Sequence, residues 1–183
     1  FAALQSLVRS RGVTARPFES WSAGCSTGEE AYSLAMTVSA LNSQTRVLGT
    51  DMNRGVLDQA SSGVFSARQV AAVPAVWRTS FLRETAGAGY WQVTPGLRSQ
   101  VSFEEFHLLD PGTFPQREFD AIFCLNVLIY YGPAARQAAV DSLLGRLRPG
   151  GHLFLAPGES AGLTMTGAET VRLEGAHIWR RAS

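Results

Sequence analysis

Short apolar runs alternate with amphipathic segments along the chain. In FAALQSLVRSR, residues 1–11, Phe1, Leu4, Leu7 and Val8 recur at helical spacing, and Gly12 is placed to stop the helix. Residues 18–23 have an extended pattern. Glu29 to Leu41 predicts a helix with Tyr32, Leu34, Ala35, Val38 and Leu41 on its apolar face, ended by Asn42 and Ser43. RVLGTD, Arg46 to Asp51, predicts a strand, followed by a helix from Asn53, a candidate N-cap, to about Ser61. Residues 64–85 predict two short helices divided at Pro74. Tyr90 to Val93 and Leu97 to Phe106 predict strands around a turn at Pro95-Gly96. FDAIFCLN, Phe119 to Asn126, has the composition of a buried strand. Pro133 to Leu147 predicts a helix with proline in its first turn, stopped by a turn at Pro149-Gly150-Gly151. HLFLA, His152 to Ala156, is a second buried strand, and ETVRLEGAHIWRRA predicts a hairpin turning near Gly175. Trp21, Phe119, Phe123 and Phe154 are expected in the core.

Strands alternating with helices imply an α/β fold with a parallel sheet covered on both faces, to which the closing hairpin adds antiparallel pairing. A chain of 183 residues suits one domain. Such sheets bind ligands beyond the carboxyl ends of their strands, where the strand order reverses. The loop Ala23–Gly28 falls at that place. A formal net charge of +1 gives no electrostatic case for nucleic acid or an anionic membrane, and no apolar run approaches the roughly 20 residues of a membrane span. The two cysteines, Cys25 and Cys124, and three histidines, His107, His152 and His177, have neither disulfide-scaffold nor metal-ligand spacing. Reduced thiols and a cytoplasmic location are therefore expected, with no metal.

The loop's spacing narrows the ligand. Gly24 and Gly28 do not make the G-x-G-x-x-G of a dinucleotide site, and no P-loop lysine follows. Asp51 ends the second strand, 23 positions after Gly28, placed to accept hydrogen bonds from ribose hydroxyls. An adenosine is implied and a pyrophosphate is not. Glu29 and Glu30 would repel phosphates and attract an amine, although carboxylates also favour the first turn of any helix. S-adenosylmethionine, a cationic adenosine with an amine on its tail, meets these conditions.

The blocks WSAGCSTGEEAYSLAM, GTDMNRGVLDQASSGVF, FHLLD, FDAIFCLNVLIYY and LRPGGHLFLAPGES, in this order, resemble the CheR-type chemotaxis receptor methyltransferases across about residues 1–180. The resemblance implies a class I S-adenosylmethionine-dependent, Rossmann-like fold with a seven-stranded sheet, an antiparallel C-terminal hairpin and a small antiparallel β-subdomain near residues 88–106, in one domain spanning 1–183. It implies methyl transfer to glutamate carboxylates of a chemoreceptor or related signalling protein, leaving S-adenosylhomocysteine. Residue by residue, it implies that Ala23, Gly24 and Cys25 line the methionine part of the cofactor and that Glu29 contacts it. Asp51, with Met52 beside it, would hold the ribose. His107 and Leu108 would flank the adenine, and Leu125 and Asn126 would lie along the cofactor near the reacting centre. Tyr130, with Asn126, would stand at the transferred methyl group.

Two positions depart from the family pattern. His107 stands where the family usually has asparagine, and Leu125 where it usually has arginine. The family's amino-terminal helical domain and its T-x-F-F-R-like linker have no counterpart in this chain. Three other readings stay open: a degenerate cofactor-binding domain that docks a signalling partner, a methyltransferase for a small molecule or RNA, and, less compatible with the loop spacing, a nicotinamide dehydrogenase.

Overall fold

A computed structural model describes residues 1–12, 14–41, 44–85 and 89–182. Its elements in chain order begin with α1 (Ala2–Arg11), β1 (Phe18–Ala23), α2 (Glu29–Ser39), β2 (Thr45–Asp51) and α3 (Arg54–Ser62). Then come β3 (Val64–Ser66), α4 (Ala67–Val70), α5 (Ala75–Phe81), β4 (Leu82–Glu84), β5 (Tyr90–Val93), α6 (Pro95–Arg98) and β6 (Val101–Glu105). The remainder is β7 (Phe119–Cys124), α7 (Pro133–Gly145), β8 (Leu147–Leu155), β9 (Ala168–Leu173) and β10 (Ala176–Arg181). Seven strands form one sheet in the order β6-β2-β1-β7-β8-β10-β9. Its central strands are parallel, and β10 runs antiparallel to both neighbours. A separate antiparallel sheet has the order β3-β5-β4.

β1 is buried along its whole length and pairs with β2 on one side and β7 on the other, so the strand order reverses there. Its side chains alternate between two apolar layers. One layer holds Phe18 together with Leu4 and Val8 of α1, Leu34 and Val38 of α2, and Phe65 and Leu82 of the small sheet. The other layer holds Trp21 and Ala23 together with Val140, Leu143 and Leu144 of α7. Trp21 and Phe119 are fully buried, Trp21 donates its indole N–H to the Thr50 hydroxyl at 2.8 Å, and Phe123 stacks on Phe154 with centroids 4.1 Å apart. These aromatics are core, as expected.

Helix ends follow local chemistry. The Asn53 side chain accepts from the Gly55 N–H, the capping bond expected at the start of α3. In the C-terminal hairpin, Glu174 and Gly175 both have positive φ, 49° and 78°, which suits a two-residue turn. Asn42 and Ser43, expected to end α2, lie outside the described residues, as does Ala88.

Four expectations change. Tyr90–Val93 and Leu97–Phe106 do not pair around Pro95-Gly96. β5 lies between β3 and β4 in the small sheet, while β6 forms an edge of the large sheet beside β2. Pro95 opens the short helix α6 between them. Second, residues 64–85 contain the two expected helices and also strands β3 and β4. These have three residues each, too short for an alternation to register in the sequence. Third, Pro149-Gly150-Gly151 does not turn the chain. It lies within β8, where the pairing Phe119↔Leu147 gives way to Ala121↔His152; Gly150, at φ 75°, accommodates the irregularity. Fourth, Phe1 is 57% exposed rather than part of the buried face of α1.

Candidate active site

β1, β2 and β7 end on the same edge of the sheet, and a cleft of about 450 Å³ opens beyond them. That volume lies within the usual range for small-molecule sites. One rim is the turn after β1. The Gly24 and Cys25 N–H groups both donate to the Thr50 carbonyl at 2.8 Å, which folds the turn onto the end of β2. Gly24 has φ 86°, and a Cβ there would lie 2.4 Å from Val127 Cγ2. Gly28 has φ 92°, and a Cβ there would lie 2.8 Å from the Ala60 Cβ. Both positions therefore require glycine.

Asp51 joins the turn to the end of β2. One carboxylate oxygen accepts from the Ser26 N–H and the other from the Asn53 N–H, each at 3.0 Å. Asp51 is half-buried and lines the cleft, so each oxygen retains acceptor capacity on the open side.

The wall beside this rim is Phe106 and Leu108, both buried, with Phe106 held edge-on against Trp21 and Phe114. The opposite rim is the segment after β7: Leu125, Asn126, Val127, Tyr130 and Tyr131. Asn126 has φ 61°, unusual for a residue with a side chain. Tyr130 is 81% exposed at the mouth.

Of the residues named from the sequence, Ala23, Gly24, Asp51, Met52, Leu108, Leu125, Asn126 and Tyr130 converge on this cleft. Three do not line it. Cys25 turns its thiol into the core beside Gly49 and Phe103, and burial, with Asp51 and Glu30 nearby, pushes its pKa up to about 12. It is an inert packing thiol. Glu29 accepts hydrogen bonds from the Thr27 hydroxyl and the Gln69 amide, both at 2.6 Å, and faces α4. His107 is exposed, and its backbone is tied to the Thr113 hydroxyl. The chain alternates here, so its neighbours Phe106 and Leu108 form the wall instead. Phe106, Val127 and Ser26 were not singled out from the sequence. Phe106, the last residue of the strand expected over Leu97–Phe106, follows β6 directly; nothing local marked the other two.

The electrostatics of the β1 rim are lopsided. Glu30 accepts from the Ser22 hydroxyl at 2.6 Å, and burial raises its pKa above the ordinary carboxylate range in spite of that bond. Asp51, Glu29 and Glu30 all act on Cys25 and have no ion-pair partner among the described residues. Three carboxylates thus surround one loop with no cation to balance them. That arrangement repels phosphate and suits a cationic group.

Residues 1–173 match the family described as "CheR methyltransferase, SAM binding domain". The chain belongs to that family. Chemotaxis protein methyltransferase 2 of Pseudomonas aeruginosa is 36% identical over 166 residues, which are 87% of this chain and 59% of the relative. A chemotaxis protein methyltransferase of Vibrio anguillarum is 33% identical over 81% of this chain and 57% of its own length. The chain therefore spans a little over half the length of these relatives. Among solved structures, an O-methyltransferase family protein from Burkholderia thailandensis superposes with a TM-score of 0.56 at 18% identity, covering 98% of this chain and 55% of that one. The N-methyltransferase NodS of Bradyrhizobium japonicum, in complex with S-adenosyl-L-homocysteine, superposes at 0.55 and 16% identity, over 98% of this chain and 84% of that one. Both agree with the class I methyltransferase fold. The cleft falls at the strand reversal, with Gly24 and Ser26 of the turn after β1 on its first rim. No helix among the described residues is long and apolar enough to cross a membrane.

Proposed function

We propose that this CheR-family domain binds S-adenosylmethionine in the cleft and directs its methyl group to glutamate carboxylates of a chemoreceptor or related signalling protein in the cytoplasm. The observation that carries the reading is the cleft itself: Asp51 and a glycine turn facing a buried apolar wall, with Glu29 and Glu30 behind the turn and no ion-pair partner for the three among the described residues, at the strand reversal of a chain matched to the family over residues 1–173. The residues present fit the cofactor. Asp51 has acceptor capacity for ribose hydroxyls, Phe106, Leu108 and Val127 offer an apolar slot for a base, and the charge of the β1 rim suits an amine or a sulfonium.

Bound there, S-adenosylmethionine supplies a methyl group activated by a positive sulfur. The protein's own work is positional. A glutamate acceptor is ionised at neutral pH, with an ordinary pKa of about 4.3, so no general base is required. Tyr130, exposed at the mouth, is placed to donate a hydrogen bond to an incoming carboxylate and orient it. Leu125, half-buried on the same rim, removes water from that approach. Orientation and desolvation of this kind can contribute about 7–11 kcal/mol in favourable cases.

Calorimetric titration with S-adenosylmethionine and S-adenosylhomocysteine, with an Asp51→Ala control, tests the cofactor. Methyl incorporation into a purified chemoreceptor signalling fragment, with and without its glutamates replaced, tests the acceptor. Leu125 favours one second reading, a domain that binds the cofactor and docks a partner without transfer. Binding without incorporation, reversed by Leu125→Arg, would select that reading.

A further inference from the structure

Glu159 lies outside the cleft, in the turn after β8, and is 2% exposed. A carboxylate so buried is costly unless its charge is met. Among the described residues no arginine or histidine pairs with it. Backbone N–H groups meet the charge instead. Oε2 accepts from Asn126 at 3.0 Å and from Ala156 at 2.9 Å, and Oε1 accepts from Ile129 at 3.3 Å. Ala156 follows β8 directly. Asn126 and Ile129 belong to the segment after β7 that forms the second rim of the cleft, and Ile129 sits in the short 3-10 turn Leu128–Tyr130.

The geometry points to Glu159 as a positioning residue: its carboxylate ties the Asn126–Tyr130 segment to the end of β8 and so sets the shape of the rim opposite Asp51. Three features support this. The tie reaches Asn126, the one lining residue outside the β1 turn, among the described residues, whose backbone is left-handed, a conformation uncommon for residues other than glycine. It also meets the Ile129 N–H at the start of a turn too short to satisfy its own first donors. Finally, it places no atom in the cleft, so it acts only through the rim's backbone. The role extends the cofactor-binding reading above, and its local signature is measurable without it.

Replacing Glu159 by Gln keeps the volume but leaves one NH2 facing a backbone N–H in either orientation, since both carboxylate oxygens accept. The test compares the unmodified chain, Glu159→Gln and Glu159→Ala by residue-resolved amide exchange, thermal unfolding and titration with S-adenosylhomocysteine. The expected result is faster exchange at Asn126 and Ile129, unchanged protection in β1 and β2, and affinity weakened by about tenfold in the Gln variant and more in the Ala variant. Unchanged exchange at Asn126 and Ile129 in both variants would overturn the assignment. So would loss of the whole fold in both, because the carboxylate would then be holding the core rather than the rim. If the unmodified chain fails to bind S-adenosylhomocysteine, the cofactor reading falls, while the exchange pattern still decides the role of Glu159.

Discussion

The two rims of the cleft are each organised by a carboxylate that accepts backbone N–H groups, and they differ in what is left over. Asp51 takes one N–H on each oxygen and faces the open cleft, with capacity to spare. Glu159 takes three, is sealed from solvent and contributes no surface. The first rim is a glycine turn under uncompensated negative charge. The second is a segment with a left-handed asparagine, ending in exposed Tyr130 and half-buried Tyr131. The same chemistry serves recognition where the carboxylate is half-exposed and scaffolding where it is buried. The difference predicts that changes on the first rim act on affinity directly, and changes on the second act through backbone shape.

The largest effect is expected where the rims touch. Gly24→Ala places a Cβ against Val127 and forces alanine to φ 86°, so S-adenosylhomocysteine affinity should fall by about a hundredfold. Calorimetry on Gly24→Ala with and without Val127→Ala sharpens the point. Recovery in the double variant assigns the loss to the contact between rims; no recovery assigns it to the turn's backbone. Asp51→Asn comes next. It removes the charge and one acceptor while keeping size, and an affinity loss of about ten- to a hundredfold is expected, in line with the worth of charged hydrogen bonds. An unchanged dissociation constant would break the division of labour between the two carboxylates.

Glu30 gives a smaller effect, read in stability. Burial raises its pKa in the folded chain. Its contribution is therefore fully present below the unfolded pKa and lost as pH rises through the folded value. Glu30→Gln, which can still accept from the Ser22 hydroxyl, should unfold at a higher temperature than the unmodified chain at pH 7 and at the same temperature near pH 4. Equal melting at both values would show that the first rim does not carry unbalanced charge. Smallest of all, Tyr130→Phe should leave stability within about 0.5 kcal/mol, since the ring is exposed, and should lower only methyl incorporation.

The sequence was informative where chemistry is local. The turn after β1, Asp51 at the end of β2 and the Asn53 cap lie in short contiguous stretches, so glycine spacing and strand ends located the first rim. The second rim depends on a partner 33 residues away. Glu159 sits in an ordinary polar turn, P-G-E-S, and no periodicity links it to Asn126. Glu29 shows the converse. Its place beside the glycine loop, in the block that carries the family resemblance, suggested a ligand contact; in the structure its carboxylate accepts from Thr27 and from Gln69, 40 residues on, in a stretch whose strands are too short to recognise. β6 was recognised as a strand but given the wrong partner, because adjacency in sequence suggested a hairpin and α6 breaks it.

The placement of β10 has a consequence for assembly. Strands β6, β2, β1, β7 and β8 follow one another through pairings that residues 18–155 supply by themselves. The other edge of β8 is covered by β10, residues 176–181, which in turn pairs with β9. During synthesis the cleft-forming half can close first, while an apolar strand waits for a partner more than twenty residues downstream. An unpaired edge of that kind is open to pairing with another chain. The C-terminal hairpin thus closes an edge of the sheet that would otherwise be open to another chain.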